Sequence, residues 1–317
     1  MSDSHGLAAE RRAALAPSAS PRRLAWQRFL RHPAALPSLV LLLLLTLGAL
    51  AAPLVEQILG VDATRADLLG RYEVPSAGHP LGKDELGRDL LVRLLYGGRI
   101  SLAVGLAAAL AAMVIGSLLG LLAGYFGGRL DALLMRLADT VIALPLLPLL
   151  IVLAAVDFTK LGLPESAARS EMASFWQIVI LISLFGWTTV ARLVRGAVMS
   201  LKRREFVRAA EALGAGPWRI MLRHLLPNAV SPILVATTLS IGNVILLESV
   251  LSFLGLGIQP PLPSWGNMLS GAQETLWAAP RLAVLPGLLI FVTVIAFNFL
   301  GDALQDAFDP RASITQR

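Results

Sequence analysis

Six long apolar runs constrain this sequence more than any other feature. A helix rises about 1.5 Å per residue, so about 20 apolar residues are needed to cross a hydrocarbon core of about 30 Å. The first run, LPSLVLLLLLTLGALAAPLV, contains no charged residue. The sequence therefore predicts an all-α integral membrane protein with six transmembrane helices, at residues 36–55, 100–124, 134–156, 175–194, 229–254 and 282–301.

The composition supports the same class. Of 317 residues, 56% are hydrophobic and 15% are charged, whereas a soluble domain carries about 45–50% apolar and about 25% charged residues. The net charge of +6 does not indicate nucleic-acid binding, because basic residues also accumulate on the cytoplasmic loops of membrane proteins. With no cysteine and four scattered histidines, the sequence predicts no disulfide, no thiol chemistry and no metal site.

The apolar runs divide the chain into regions. A signal peptide is the rival interpretation of the first run, but the run exceeds the usual length of about 7–15 residues and about 35 residues precede it. Most of the 27 Lys and Arg residues fall in segments that are cytoplasmic if both termini are inside. The predicted division is a cytoplasmic tail 1–35, a first membrane helix 36–55, an extracytoplasmic loop 56–98, a five-helix core 99–303 that includes a loop at 203–227, and a cytoplasmic tail 304–317.

Local signals refine this outline. Gly116, Gly120 and Gly124 recur every four residues and predict close approach of a second helix. Pro145 and Pro148 predict a kink in the third span, and the proline-rich stretch QPPLPSWGNML cannot form a continuous helix. The basic segment Arg22–Arg31 is either an interfacial helix, with Leu24, Trp26 and Phe29 in lipid, or a disordered tail whose arginines only set topology.

The stretch EFVRAAEALGAGPWRIMLRHLLPN, Glu205–Asn228, interrupts the apolar pattern. Two apolar sets recur at helical spacing: Phe206, Ala209, Ala210 and Leu213, then Trp218, Met221, Leu222 and Leu225. Gly214 is predicted to end the first helix and Pro217 to begin the second; Pro227 ends the second, and Asn228 caps the next span. The sequence thus predicts a cytoplasmic helix-turn-helix. Its apolar face either docks in a partner's groove or packs against the protein's own helix ends.

This stretch resembles the EAA loop of bacterial ABC-importer permeases, in which Glu-Ala-Ala, three residues and a glycine precede a hydrophobic-x-Leu-Pro ending. The matching residues are Ala209, Ala210, Gly214, Leu226 and Pro227. Arg208 takes the place of the usual Glu, for which Glu205 or Glu211 is the nearest substitute. The stretches HPLGKDELGRDLLVRLLYGGRISL and ESVLSFLGLGIQPPLPSWGNML are similar to those of the second, C-type permease subunit of dipeptide, oligopeptide and nickel importers.

The resemblance, which extends over about residues 25–310, implies a non-catalytic permease subunit of an ATP-driven importer in the bacterial inner membrane. The implied partners are a second permease, two cytosolic ATPase subunits and an extracytoplasmic substrate-binding protein. No G-x-x-x-x-G-K-[ST] pattern occurs, so ATP and Mg are expected on the ATPase and no cofactor on this chain. The implied ATPase-coupling residues are Glu205, Ala209, Ala210, Glu211, Gly214, Trp218, Leu226 and Pro227.

Charged and polar residues elsewhere suggest two further sites. Glu248 lies within an apolar span, where a charge is costly, so it either lines the substrate path or caps a turn at Gly255 and Gly257. Asn243 either lines the same path or bridges neighbouring helices. The outer charges either dock the binding protein or form a solvated, internally paired loop; they are Asp84, Glu85, Arg88 and Asp89.

Two other classes of function fit the sequence less well. A secondary transporter or channel would need no ATPase, and it would show ionisable pairs in several spans. A membrane enzyme would need clustered acids, histidines or a nucleophile with its base, and no such cluster is evident. The favoured cargo is a di- or oligopeptide, while glutathione or a nickel complex stays open.

Overall fold

The computed structural model describes residues 21–156, 170 and 172–308. Over these residues the chain is helical and contains no β-strand, apart from an isolated bridge between Lys83 and Asp89. The helices are α1 (Pro21–Arg31), α2 (Ala35–Leu50), α3 (Ala52–Leu59), α4 (Leu90–Phe126), α5 (Gly128–Ala143), α6 (Leu146–Ala154), α7 (Ala173–Leu201), α8 (Glu205–Ala212), α9 (Pro217–Ile220), α10 (Leu226–Phe253), α11 (Ala272–Thr275) and α12 (Arg281–Phe308).

Four helices are long and apolar enough to cross a membrane: α4, α7, the continuous helix Pro217–Phe253 and α12. The count reaches six if each of two sharply bent pairs, α1 with α2 and α5 with α6, forms one span. The helical membrane class is thus confirmed, with four to six spans in the described part of the chain. Helix α4 begins at Leu90 rather than near residue 100, because the Asp89 carboxylate caps it by accepting a 2.9 Å hydrogen bond from the Val92 N–H.

The glycine stripe on α4 packs against α7, as its spacing predicts. A Cβ atom built on Gly116 would lie 2.5 Å from the Trp187 carbonyl oxygen, and one on Gly120 would lie 2.5 Å from that of Ala191. Only glycine permits this approach, because the atoms it meets belong to a helix backbone that cannot step aside. Gly105, three turns earlier on the same helix, instead meets Ile245 of α10.

The third apolar run is broken near its middle. Leu144 is extended (ψ 140°) and separates α5 from α6, and the two helices meet at 85°. Pro145 explains the break, since a residue that precedes proline avoids the helical region. Pro148 lies in the first turn of α6, where its missing N–H leaves no helical bond unmade. Arg195 of α7 holds α5 in place through Asp131, at 2.5 and 2.6 Å.

The basic segment before the first span is a helix that meets α2 at 84°. Trp26 is exposed, as expected for a residue that faces lipid. Phe29, however, does not face lipid: it is 5% exposed and packs against Ala303 and Ala307 near the end of α12. The small alanine side chains leave a groove that the phenyl ring fills, so tertiary packing overrides its predicted lipid contact.

Candidate functional site

The loop between α7 and α10 is clamped to the helix bundle by its own apolar residues. Val207 of α8 is fully buried, and so are Ile220, Met221 and Leu225 on the other side of the turn. They share one cluster with Val194 and Val198 at the end of α7. The alternative that this loop packs on the protein's own helix ends therefore holds for one of its faces.

The opposite face of the loop is exposed and apolar. Leu213 is 89% exposed, Trp218 62% and Phe206 43%. We call these three residues the loop surface. Of the remaining predicted coupling residues, Ala210 is buried, Leu226 is half-buried, and Glu205, Ala209, Glu211 and Pro227 are exposed. A large apolar surface that nothing in the described chain covers is typical of a protein-protein contact.

Glycine is required at the turn for conformational reasons alone. Gly214 has a φ of +81°, in the left-handed region that residues with a side chain rarely adopt. A Cβ atom there would meet nothing within 4 Å. The turn thus ends α8 as the sequence predicts, and it projects into open space.

The second half of the loop differs from its prediction. Pro227 does not end a helix, and Asn228 does not cap one: a continuous helix runs from Pro217 to Phe253. A π-helical turn at residues 221–225 absorbs the proline, with the Leu226 N–H bonding to the Met221 oxygen five residues back. This wider turn relieves the clash between a proline ring and the carbonyl four residues earlier. The Asn228 amide donates to the His224 oxygen at 2.6 Å.

The position at which Arg208 replaces the family's glutamate is exposed. Neither Glu205 nor Glu211 forms an ion pair with any residue that the structure describes. Arg203, Arg204, Arg208, Arg219 and Arg223 are also exposed, so the loop carries an excess of positive charge even with Glu205 and Glu211 counted. A partner for this face would therefore present apolar residues together with acidic ones.

Glu248 is the centre of a buried polar cluster at the opposite end of the bundle. Its side chain has no exposed surface. The Ser252 hydroxyl donates to Oε1 at 2.7 Å, and the Ser101 hydroxyl donates to Oε2 at 3.0 Å. Each serine oxygen in turn accepts a backbone N–H, from Ile258 at 3.0 Å and from Trp265 at 3.1 Å. We call this set the outer junction.

The hydrogen bonds of the outer junction form a closed set. A hydroxyl has one hydrogen and two acceptor lone pairs, so each serine accepts a backbone N–H and still has its hydrogen for Glu248. In this arrangement both oxygens of the carboxyl group act as acceptors. The backbone of residues 255–269 is thereby bound to α4 and α10. The Trp265 indole adds a bond to the Leu94 oxygen at 2.9 Å.

Glu248 thus does not face an open path in this structure. Its position matches the alternative in which it holds the turn after α10, since Gly255 has a φ of +76° and a Cβ on Gly257 would lie 2.0 Å from the Ser252 oxygen. Sequence reasoning missed Ser101 and Trp265, which lie far from Glu248 in the chain. It also missed Ser252, although the spacing of four residues places that hydroxyl on the same helix face.

Asn243, by contrast, lines a cavity of about 290 Å³ between α4, α7, α10 and the break between α5 and α6. Its side chain is exposed in the single chain. Its amide makes no hydrogen bond to a residue within the described ranges. The expected helix-bridging role is therefore absent here, and Asn243 remains a candidate for the substrate path.

The charged loop before α4 is held together internally. Asp84 is 3% exposed; its carboxylate accepts from Arg88 Nε at 2.8 Å and from the Leu86 and Arg88 N–H groups at 2.9 Å. Asp89 is 2% exposed and, besides capping α4, contacts His79 at 3.0 Å. Glu85 is half-exposed and lies 3.2 Å from Arg88. Of the four predicted docking residues, Glu85 presents the most surface to an external partner.

A second ion-pair group stabilises the same loop. The pKa of Lys83 is raised by hydrogen bonds to the carboxylates of Glu73 and Asp67, each 3.0 Å away. The Lys83 ammonium likewise lowers the pKa of Asp67. No group of three or more His, Asp or Glu side chains in the described part of the chain is arranged to hold a metal ion.

The described helices define a multi-pass membrane protein with a sharply bent helix pair, α5 with α6, and an exposed loop at one end. Comparison with known families makes this class specific. Residues 116–314 match the model of the binding-protein-dependent transport system inner membrane component, and residues 20–66 match the N-terminal TM domain of oligopeptide transport permease C. The chain belongs to this family of inner-membrane components and is a permease subunit of a binding-protein-dependent ABC importer.

Individual relatives agree with the family match. The chain is 42% identical over 294 residues to the glutathione transport system permease protein GsiD of Pectobacterium atrosepticum, covering 92% of each chain. It is 41% identical over 293 residues to the oligopeptide transport system permease protein OppC of Escherichia coli, covering 91% of this chain and 92% of that one. A chain of the inward-facing MetNI methionine ABC transporter aligns with a TM-score of 0.50 at 18% identity, over 67% of this chain and 96% of that chain, and supports the fold alone.

Proposed function

We propose that this chain forms half of the translocation path of an ATP-driven importer of short peptides, with a second, similar permease as the other half. ATP and Mg are held by two separate ATPase subunits, and a binding protein delivers the peptide from outside. Both termini and the loop surface lie in the cytoplasm in this proposal. Two similar relatives are named for oligopeptide and glutathione transport, so the cargo class is a short peptide, glutathione included.

The loop surface is the observation that carries the proposal. Phe206, Leu213 and Trp218 project from a loop whose other face is anchored to the end of α7. A rigid anchor on one side and an apolar contact on the other are what a lever needs in order to transmit a partner's movement to the membrane helices. Trp is the residue most often found at the energetic centre of protein contacts.

The main alternative is a secondary transporter or channel that works without an ATPase. Such a protein would have no need of an uncovered apolar surface away from the membrane. It would also move its cargo when the purified chain alone is placed in vesicles with an ion gradient, and that result would displace the proposal.

The test is to replace Trp218 by alanine in the assembled importer. Because Trp218 is mostly exposed, the permease should insert and fold normally. Binding of the ATPase should weaken by about 30-fold, the effect of losing about 2 kcal/mol at a contact centre. Co-purification of the ATPase with the permease, titrated in detergent, measures this loss.

Leu69→Ala is the matched control. Leu69 is an exposed apolar residue like Trp218 but lies in the loop before α4, so its replacement should leave ATPase binding unchanged. Equal ATPase binding by wild-type and Trp218→Ala permeases would contradict the proposed contact.

A further inference from the structure

The cavity that Asn243 lines lies at the middle of three predicted spans. Asn243 is near the centre of 229–254, Thr189 is near the centre of α7, and the break at Leu144 is near the centre of 134–156. Broken helices near the bilayer midplane form the substrate sites of many transporters, because their freed backbone groups face the cargo. The position alone thus marks this cavity as a candidate binding site.

The break brings the end of α5 to the cavity. Val141, Ile142 and Leu144 line it, and they belong to the last turn of α5 and the residue after it. The final carbonyl groups of a helix lack the N–H donors that a further turn would provide. The Leu144 N–H still bonds to the Val141 oxygen at 3.3 Å, so among the lining residues of α5 it is the Ile142 carbonyl that the extended Leu144 leaves without a helical donor. Freed backbone groups at membrane depth are tolerated where they line a cavity or meet protein.

Asn243 and Thr189 supply the free polar side chains. Neither makes a hydrogen bond within the described part of the chain, whereas the other two hydroxyls of the cavity are already used: Thr188 donates to Phe185 at 3.2 Å and Ser240 to Ala236 at 2.7 Å. An unpaired amide in hydrocarbon is unfavourable by about 2 kcal/mol or more. The Asn243 amide is therefore placed to bond with something that enters the cavity.

No charge faces this space. None of the lining residues that the structure describes is acidic or basic, and most are Leu, Ile, Val, Ala or Phe. Glu248, the one acidic side chain of the same span, is enclosed in the outer junction. The volume of about 290 Å³ is at the lower limit of small-molecule sites, about 300 Å³, so it accommodates part of a peptide rather than a whole one.

We propose that this cavity is a transit site that recognises the neutral part of a peptide, namely a backbone amide bonded by Asn243 and one apolar side chain beside it. The inference rests on the proposed function and adds which chemical groups of the peptide the permease recognises. The site binds what all peptides share, so it does not discriminate between cargoes by side-chain charge. Charge selection is left to other parts of the importer.

The test introduces a charge into the cavity. The complete importer, with wild-type or Asn243→Asp permease, is reconstituted in vesicles, and ATP-driven uptake of Ala-Ala-Ala, Ala-Asp-Ala and Ala-Lys-Ala is measured with the binding protein saturated. Wild type should transport the three at similar maximal rates. Asn243→Asp should lower uptake of Ala-Asp-Ala about tenfold relative to Ala-Ala-Ala, because like charges repel strongly at low dielectric, and it should favour Ala-Lys-Ala.

Asn298→Asp is the control, since Asn298 also lies within a span but on α12, outside the cavity lining; it should leave the ratios unchanged. Asn243→Leu should reduce uptake of all three peptides about fivefold, the loss of one hydrogen bond. If Asn243→Asp does not assemble, Thr189→Asp repeats the test from the other wall.

The outcomes separate this inference from the proposed function. ATP-driven uptake with unchanged ratios in Asn243→Asp, or equal shifts in Asn298→Asp, overturns the transit site and leaves the proposed function standing. A wild-type importer that moves none of the peptides with ATP overturns both.

Discussion

The loop surface and the outer junction lie at opposite ends of the bundle. Both depart from the usual arrangement in which apolar side chains are buried and acidic ones are exposed. The loop surface exposes Leu213 and Trp218, and the outer junction buries Glu248 completely. The carboxyl oxygens of Glu248 and the hydroxyls of Ser101 and Ser252 are hydrogen-bonded within the chain, whereas nothing in the described residues covers the loop surface. The junction is therefore self-sufficient, and the loop surface is complete only when a partner covers it.

The difference shows how polarity should be interpreted in a membrane subunit. An acidic residue inside a span made Glu248 a candidate either for the substrate path or for capping a turn, and charge alone does not distinguish these two roles. Hydrogen-bond partners do distinguish them: both Glu248 oxygens are bonded to serine hydroxyls, and those serines also accept the N–H groups of Ile258 and Trp265. Changes at the junction should therefore reduce stability, and changes in the loop should reduce coupling.

The largest effect is expected from Glu248→Leu. The substitution removes both acceptors and leaves the hydroxyls of Ser101 and Ser252 buried without a partner, at about 1–3 kcal/mol each. The midpoint of thermal unfolding of the detergent-purified subunit should fall by several degrees. Glu248→Gln keeps one acceptor oxygen, so its unfolding midpoint should lie between those of the wild type and Glu248→Leu. An unchanged midpoint for Glu248→Leu would show that the junction does not stabilise the fold.

Adding a single methyl group should affect the two regions differently, with a smaller effect than Glu248→Leu. Gly257→Ala would place its Cβ 2.0 Å from the Ser252 oxygen and 2.5 Å from the Ser252 Cα, which forces the backbone of the junction apart at a cost of about 1–3 kcal/mol. The same change at Gly216, in the loop, meets nothing within 4 Å and should be nearly neutral. Thermal unfolding of the two variants side by side tests the contrast, and equal midpoints would contradict it.

Gly214→Val should leave the fold intact and impair coupling. A left-handed conformation costs an ordinary residue about 1–2 kcal/mol, so the turn should change shape and move the loop surface. Uptake per ATP hydrolysed, measured in the same vesicles, should fall several-fold. Gly214→Asn is the control, since asparagine tolerates this conformation. Fully coupled uptake by the valine variant would refute the hinge.

The smallest effect concerns pH at the loop before α4. Because the pKa of Lys83 is raised from its ordinary value of 10.5, Lys83 stabilises the folded loop fully at pH values below 10.5. This contribution is lost as the pH rises through the pKa of Lys83 in the folded protein. Because the pKa of Asp67 is lowered from its ordinary value of 3.8, Asp67 stabilises the folded loop fully at pH values above 3.8. This contribution is lost as the pH falls through the pKa of Asp67 in the folded protein. Amide exchange of residues 67–89, corrected for its intrinsic rate, should therefore be constant between about pH 5 and 8.

Lys83→Met should raise amide exchange in this loop slightly across that range, because Asp67 is half-exposed and water screens the pair. A change of exchange within that range in the wild type would contradict the assignment of the loop's pH dependence to Lys83 and Asp67.

Much of the architecture was open to prediction because the responsible interactions are local. The apolar runs, the glycine spacing on α4, the turn at Gly214 and the break at Pro145 depend on residues a few positions apart. Reasoning from neighbouring residues was wrong at Pro227. Proline predicts a helix end there, but the π-helical turn before it lets the helix continue.

By itself, the sequence determined a lipid-embedded helical chain with one amphipathic loop, because lipid requires long apolar helices and helical spacing is a property of neighbouring residues. Only the tertiary structure decided which side of that loop is free, why Glu248 is enclosed while Asn243 is open, and that Phe29 packs on α12. Those outcomes depend on contacts such as Ser101 with Glu248 or Phe29 with Ala307. Partners so far apart in the chain meet only when helices pack.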